Sequence, residues 1–251
     1  MTGRVSLVAH RGEPLAFPEN SLPGFEHALE HGARYVECDV QITADGVPIL
    51  SHDANLLKLT GKQIIIADHD WSEIKDMPAG YPDRFGDEFA DFRIATLEQF
   101  VELMQQQDHV KSFIELKESS VDYWGMKAVD LVMKTLKPIL GDSILISFND
   151  DALAHARKHF DVPIGWVLPE WSEHNREIAR ELAPEYLFVD TDFCPQDQAE
   201  LFGGTWEWVA YTIDTPEEVA RYAGLGIELI ETDRFSELRQ ESDIVDVSHD
   251  F

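Results

Sequence analysis

Short runs of apolar residues alternate with longer amphipathic stretches along most of this chain. The apolar runs have the length of buried strands, and the amphipathic stretches have the period of helices. A further short strand at 47–51 follows the second strand and predicts a hairpin. Eight alternations of this kind predict the α/β class and a single closed (β/α)8 TIM barrel. The predicted barrel strands lie at 5–9, 35–41, 111–116, 143–147, 162–167, 186–190, 207–212 and 227–232.

Capping residues precede several of the amphipathic stretches. Ser21, or Asn20 beside it, is suited to cap the first helix, and Thr96 is suited to cap the second. A final short helix is predicted from 235, with an acidic tail behind it that extends to 251. The first predicted helix ends at 31. The other predicted helices occupy 96–107, 121–136, 150–159, 172–182, 196–202 and 215–223.

Residues 53–95 interrupt the alternation between the second strand and the second helix. This segment is too long for an ordinary barrel connection, and a short helix is predicted near 71–77. Its many aromatic side chains favour packing onto the barrel, and a partial lid over the site is the alternative. We therefore expect one TIM-barrel domain over 1–251 that includes the 53–95 insertion.

The charge balance excludes several classes of partner. The chain has 48 acidic and 20 basic residues, which gives a formal net charge of -28. Nucleic-acid binding requires a basic face, and an anionic membrane surface would repel this chain. No apolar run has the length of a membrane helix, and we expect no stable membrane insertion. The N-terminus has no signal-peptide pattern, and the two cysteines have no metal-type spacing, which predicts a cytoplasmic protein.

Carboxylates stand inside two of the predicted strands, where charged residues are rare. Glu37 and Asp39 are two residues apart and therefore share one face of their strand. Two carboxylates about 5 Å apart repel by roughly 3 kcal/mol at an effective dielectric near 20. Either one of them is protonated or a cation lies between them. Glu115 on the third strand adds another oxygen ligand, and an all-oxygen set favours Mg²⁺ or Ca²⁺, with Mn²⁺ as a further candidate.

Five short motifs occur in order along the chain, namely His10-Arg11-Gly12, Pro18-Glu19-Asn20, Glu37-Cys38-Asp39, His52-Asp53 and Glu115-Leu116-Lys117. With these motifs the chain resembles the glycerophosphodiester phosphodiesterase family, and the resemblance extends to 226–233 near the C-terminus. The resemblance implies a metal-dependent phosphodiester hydrolase built on a TIM barrel.

The resemblance implies a role for each motif residue. Glu37, Asp39 and Glu115 would hold one divalent cation, which agrees with the argument from charge. His10 and His52 would act as general acid and base, because imidazole both accepts and donates protons near neutral pH. The remaining eight histidines are interpreted as structural.

Other motif residues are candidates for contacts around the reacting groups. Arg11 and Lys117 are predicted to bind the substrate phosphate, and the alternative for Lys117 is neutralisation of Glu115. Glu19 and Asn20 are expected to support His10 or a bound water, and Asp53 is expected to orient His52. Three aromatic residues are candidates for the alcohol pocket, with core packing as the alternative: Phe148, Trp166 and Tyr211.

The predicted reaction is hydrolysis of a small glycerophosphodiester to an alcohol and sn-glycerol 3-phosphate. Attack on phosphorus by water and attack by the glycerol 2-hydroxyl, through a cyclic phosphate, both fit the residues. Two alternative functions remain at this stage. One is a lysophospholipase D that acts on lipids, and the other is a catalytically silent barrel that binds phosphosugars.

Overall fold

The computed structural model describes residues 5–241, and the predicted acidic tail lies outside the described residues. Eight parallel strands close into a barrel, because the first strand pairs with both the second strand and the last. This confirms the predicted (β/α)8 TIM barrel. The strands are β1 Ser6–His10, β2 Tyr35–Ile42, β4 Lys111–Leu116, β5 Ser143–Ser147, β6 Ile164–Val167, β7 Tyr186–Asp190, β8 Glu207–Tyr211 and β9 Leu229–Thr232, with a hairpin strand β3 Pro48–Leu50 antiparallel to β2.

Helices surround the barrel, and their N-caps follow from the sequence. The side chain of Ser21 accepts a hydrogen bond from the Gly24 N–H, and Thr96 forms a reciprocal capping box with Gln99. The helices are α1 Leu22–Glu30, α2 Leu57–Thr60, α3 Trp71–Ile74, α4 Pro82–Phe85, α5 Leu97–Met104, α6 Glu118–Trp124, α7 Lys127–Leu136, α8 Asp150–His159, α9 Glu173–Leu182, α10 Pro216–Gly224 and α11 Phe235–Glu241.

Two helix predictions were wrong in extent. The predicted helix at 121–136 is two helices, because Gly125 adopts a φ of 59° and ends α6 before α7 begins. Glycine accepts this conformation without the penalty of a Cβ atom. The predicted helix at 196–202 is only a 3₁₀ turn at Gln198–Glu200.

The insertion at 53–95 contains three short helices, α2 to α4, instead of the single predicted one. Its aliphatic residues form a small core against Ile49 of β3, with Leu56, Ile66 and Ile74 buried in it. The aromatic residues pack mainly on each other. Phe89 packs 5.7 Å from Phe17, which places the insertion beside the loop after β1.

Two apolar cores meet at the barrel wall. Side chains alternate along each strand, so one set faces the helices and the other fills the barrel. The outer core includes Val36, Cys38 and Trp166. The inner core consists mainly of β-branched and aromatic side chains, namely Val8, Tyr35, Phe113, Ile144, Ile146, Val167, Tyr186, Phe188, Val209 and Leu229.

Candidate active site

A polar layer lies directly above the inner core, at the C-terminal ends of the strands. On β1 the inner-core residue Val8 is followed two positions later by His10. The same step leads from Phe113 to Glu115 on β4. Because side chains two apart share a face, these polar groups point into the mouth of the barrel. TIM-barrel active sites occupy this end of the fold.

Three buried carboxylates form the centre of this layer. Glu37, Asp39 and Glu115 each offer an oxygen atom within 4.8 Å of the others, and none is more than 9% exposed. The parallel pairing of β2 with β4 places Asp39 opposite Glu115. Barrel register therefore brings together residues that are far apart in the sequence.

The loop after β1 encloses Asp39. Arg11, at a φ of 52°, directs its Nε to 3.0 Å from Asp39 Oδ2 and its backbone N–H to Glu37 Oε2 at 3.1 Å. Asn20 donates from Nδ2 to Asp39 Oδ2 and accepts from the Asp39 backbone N–H. The loop therefore fixes both carboxylates of β2.

Glu19 and Asn20 contact Arg11, Lys58 and Asp39 instead of His10, and their expected support of a bound water stays a prediction. Glu19 Oε2 lies 3.6 Å from Arg11 and 2.5 Å from Lys58 Nζ, and Asn20 hydrogen-bonds Asp39. The two residues hold the arginine and the aspartate because the loop returns alongside β2 instead of covering the histidine. Lys58 also ties the insertion to this loop.

Lys117 forms ion pairs with two carboxylates. Its Nζ lies 2.8 Å from Glu115 Oε1 and 3.2 Å from Asp39 Oδ1. Although burial opposes the charged form, the Asp39 and Glu115 carboxylates raise the pKa of Lys117. The ammonium therefore remains charged and available to an anionic substrate.

The carboxylates respond to this environment in opposite directions. Burial tends to raise the pKa of Asp39, but the adjacent Arg11 and Lys117 reverse this and lower it. For Glu37, burial and then the negative charges of Asp39, Glu231 and Glu115 raise the pKa well above its usual range. Without a bound cation, the site therefore favours the protonated form of Glu37.

This donor set fits a hard divalent cation. All three groups supply oxygen atoms, which Mg²⁺ and Ca²⁺ prefer. Among residues 5–241, Oε1 of Glu37 is buried and has no hydrogen-bond partner. A buried carboxylate oxygen without a partner is unfavourable, and a cation would satisfy it. Glu37, Asp39 and Glu115 are thus suited to hold the ion.

His10 has a carboxylate partner at the far end of the chain. Its Nδ1 lies 2.7 Å from Asp233 Oδ1, and its Nε2 lies 4.0 Å from Glu37 Oε2. Burial tends to raise the pKa of Asp233, but the hydrogen bond and charge of His10 lower it overall. The pair fixes the ring with Nε2 free to exchange a proton.

His52 has a local partner. Its Nδ1 lies 2.8 Å from Oδ1 of Asp53, and its backbone oxygen accepts from Gln41 Nε2. Burial, with the positive charges of Arg11 and Lys117, lowers the pKa of His52 despite the opposing charge of Asp39. His52 is therefore suited to be a neutral base near pH 7.

The two histidines line one cavity of about 210 Å³. Arg11 and Lys117 lie on the same wall as the carboxylates, and Phe148 and Tyr211 line the cavity with them. Trp166 is not among the lining residues. Its ring is 2% exposed in the outer core, and its indole N–H donates to the Phe148 backbone oxygen.

Three acidic residues in or beside the cavity received no role from the sequence. They are Asp190 at the end of β7, Glu231 on β9 and Asp233 just after β9. A usable signal existed, since Glu231 and Asp233 lie two residues apart at the end of the last predicted strand, an alternation that places both on one face. Without the barrel register, however, this alternation did not indicate which partner each acid would meet.

Comparison with known proteins agrees with this geometry. The model of the glycerophosphoryl diester phosphodiesterase family matches residues 10–237. The chain belongs to this family. A glycerophosphodiester phosphodiesterase of Caldanaerobacter subterraneus is 31% identical over 90% of this chain and 93% of that protein. The family is one of hydrolases, so the chain is identified as an enzyme.

Solved structures of phosphodiesterases share the barrel. A phosphodiesterase of Oleispira antarctica, in complex with the product sn-glycerol-3-phosphate, has a TM-score of 0.82 and 23% identity, covering 94% of this chain and 96% of that one. A glycerophosphodiester phosphodiesterase of Thermotoga maritima has a TM-score of 0.73 and 25% identity, covering 96% of this chain and 100% of that one. Within residues 5–241, no helix is both long and apolar enough to cross a bilayer.

Proposed function

We propose that this family member hydrolyses glycerophosphodiesters to sn-glycerol 3-phosphate and an alcohol. One divalent cation at Glu37, Asp39 and Glu115 is part of the proposal, as is proton transfer by His10 and His52. The observation that carries it is the cavity itself, which is lined by both histidines, Arg11, Lys117 and two of the three carboxylates. This arrangement combines charge neutralisation with proton transfer, which phosphodiester hydrolysis requires.

The cation and the two basic residues would stabilise the charge of the phosphate group. A bound divalent cation would supply Lewis-acid stabilisation of charge on the phosphate. Arg11 and Lys117 bind non-bridging phosphate oxygens, because both cations remain charged in the site. Without them, a protein of net charge -28 would repel an anionic diester. These residues orient the phosphate between the two histidines.

The histidines divide the proton transfers. His52, whose pKa is lowered, accepts the proton of the attacking hydroxyl group or water. His10 donates a proton to the departing alkoxide through Nε2, while Asp233 holds Nδ1 and faces the positive charge of the protonated ring. Asp53 keeps the His52 ring aligned through its own Nδ1. The product bound to the Oleispira antarctica phosphodiesterase supports the choice of glycerol phosphate as the retained group.

Both cysteines support a cytoplasmic location for this activity. Cys38 and Cys194 are buried, free thiols that do not pair. Reduced thiols are typical of proteins in the reducing compartments of the cell.

The direct test is release of sn-glycerol 3-phosphate from glycerophosphocholine. We expect turnover with Mg²⁺, Ca²⁺ or Mn²⁺, and loss of turnover after treatment with EDTA. His10→Ala and His52→Ala should each lower kcat by about 10²-fold to 10⁴-fold. His155→Ala is the matched control, since His155 pairs with Asp130 on the outer surface. Full activity in EDTA, or unchanged rates in both site variants, would reject the proposal.

Two experiments in ¹⁸O-labelled water distinguish the routes of attack: a search for a cyclic phosphate, and turnover of diesters that lack the glycerol 2-hydroxyl. Rapid quenching during turnover would reveal a cyclic phosphate if the glycerol 2-hydroxyl attacks first. Diesters without that hydroxyl group would then not react. Turnover of such diesters, with direct incorporation of label into the product, identifies water as the nucleophile.

A further inference from the structure

Glu231 is a buried acid in the floor of the cavity. It lies on β9, opposite Val8 of β1 in the register, and is 3% exposed. Leu229, two positions earlier, belongs to the inner core, and Asp233, two positions later, meets His10. Glu231 therefore occupies the barrel-inner face between the apolar core and the catalytic layer, and its side chain lines the cavity.

Among the residues that the structure describes, Asp39 and Glu115 form ion pairs and Glu231 forms none. Asp39 pairs with Arg11 and Lys117, and Glu115 pairs with Lys117. Within the described part of the chain, Glu231 forms no ion pair, and its Oε1 is buried without a hydrogen-bond partner. Such an atom costs free energy unless something binds it. A ligand in the cavity is the available source of a partner.

Glu231 is separate from the proposed cation site. Among residues 5–241, the acids that can share one ion are Glu37, Asp39 and Glu115, and Glu231 does not come within the same 4.8 Å limit. The positive side chains of the cavity, Arg11 and Lys117, are already directed at Asp39 and Glu115. A phosphate group would bind near those cations, since Glu231 offers it no positive charge.

A hydroxyl group is the remaining kind of ligand group that would bind Glu231 in the floor of the cavity. A buried carboxyl group forms hydrogen bonds through both oxygens, and the glycerol part of the substrate offers two adjacent hydroxyl groups. Tyr211 lines the same cavity, and its phenol is a neutral donor there because burial, then the charges of Asp190 and Glu231, raise its pKa. Acceptor and donor together suit a diol.

We propose that Glu231 binds the free hydroxyl groups of the glycerol moiety and so selects glyceryl over simple alkyl phosphodiesters. This inference rests on the proposed function, since it identifies which part of the substrate lies deepest in the site. The variable head group then extends toward the mouth of the cavity, where Phe148 lies half-buried.

The test compares two phosphates that differ in their hydroxyl groups. Affinity for sn-glycerol 3-phosphate and for ethyl phosphate is measured by calorimetry, with Mg²⁺ present, in the wild type, Glu231→Ala and Glu231→Gln. Substitution of Glu231 changes the surroundings of both phosphates, so the ratio of the two affinities is the decisive quantity. Loss of the hydrogen bonds to two hydroxyl groups predicts a fall in this ratio of about 10-fold to 100-fold for Glu231→Ala.

The Glu231→Gln variant and a control variant complete the experiment. Glu231→Gln keeps the side-chain shape and a neutral acceptor, and its ratio should fall by a smaller factor, at least about threefold. If Glu231→Ala does not fold, the affinity ratio of Glu231→Gln alone tests whether Glu231 binds the hydroxyl groups. Glu228→Gln removes one exposed charge near the other end of β9 and should leave the ratio unchanged. Turnover of glycerophosphocholine is measured alongside.

The outcomes separate this inference from the proposed function. An active wild type whose affinity ratio is the same in both Glu231 variants overturns the role of Glu231 alone. A wild type that hydrolyses no glycerophosphodiester, but whose preference for sn-glycerol 3-phosphate depends on Glu231, rejects the reaction and supports the inference. A wild type with no preference between the two phosphates overturns the inference.

Discussion

Oδ1 of Asp233 lies 2.7 Å from Nδ1 of His10, although 223 residues separate them in the sequence. Barrel closure makes this contact, because β9 pairs directly with β1. A carboxylate that accepts from the Nδ1–H group fixes the ring with Nε2 toward the cavity. Barrel closure therefore also orients a proposed catalytic group.

Substitution of Asp233 by Asn should disable His10 without removing it. An amide offers a donor or an acceptor at nearly the same position, so the histidine tautomer is no longer fixed. We expect kcat for glycerophosphocholine to fall by about 10²-fold to 10⁴-fold, with KM little changed. Steady-state kinetics provide the measurement, and Glu237→Gln, on the exposed face of α11, is the control. A rate unaffected by Asp233→Asn would contradict the role of this pair.

Substitution of Asp53 by Asn should lower the pKa of His52 further. Burial lowers the pKa of His52, whereas the hydrogen bond that the Asp53 carboxylate accepts from the ring raises it. A lower pKa moves the acidic limb of kcat/KM to lower pH, because His52 must be neutral to accept a proton. NMR titration of the imidazole protons and the pH profile measure the same shift.

The pKa of His52 in the wild type is a second measurable quantity. The His52 pKa should lie below the ordinary histidine value of about 6.5. Asp76→Asn, at an exposed position of the same insertion, should leave both the titration and the pH profile unchanged. An upward shift in Asp53→Asn would contradict the predicted sign.

Substitution of Glu37 by Gln should separate stability from cation binding. The raised pKa means that folding favours the protonated acid, so the metal-free wild type loses stability as pH rises above about 4.5. At pH 7 the glutamine removes this penalty, and Tm of the metal-free protein should rise by about 2–4 °C per kcal/mol gained.

With a divalent cation present, the wild type should be more stable than Glu37→Gln. Ligand at about 100 times its Kd stabilises the wild type by about 2.7 kcal/mol, and Glu37→Gln should lose most of this increment. Thermal unfolding with EDTA and with Mg²⁺ or Ca²⁺ measures both effects, and Glu98→Gln on the exposed side of α5 is the control. An equal increment in the wild type and Glu37→Gln would argue against Glu37 as a ligand.

Substitution of Gly12 by Ala tests why the loop after β1 requires glycine. Gly12 has a φ of 86°, and a Cβ atom there would lie 2.9 Å from the Gly24 carbonyl carbon. The strained backbone alone costs about 1–3 kcal/mol, and the contact with the start of α1 adds to it. We expect a lower Tm and weaker phosphate binding as Arg11 is displaced. Gly141→Ala should do neither, because a Cβ atom there meets nothing within 4 Å.

The repeated pattern of strands and helices was visible in the sequence because burial imposes a short local period. The bounds of β4 at Lys111–Leu116 agree with prediction, since Phe113 and Ile114 stand on opposite faces in two different cores. The break at Gly125 could also have been found, as glycine commonly ends helices. The paths of residues 53–95 and 196–202 depend on packing partners supplied by distant segments, and local patterns do not contain that information.

By itself, the sequence determined the barrel class and most of the candidate catalytic and ligand-binding residues. Glu37 and Asp39 were assigned to one face because strand geometry is local, and the motif order indicated the family. Only the tertiary structure decided which groups meet. It placed Asn20 on Asp39, Asp233 on His10, Trp166 in the outer core and Glu231 alone in the cavity floor. These relationships arise from strand register and barrel closure, which join residues through space and not along the chain.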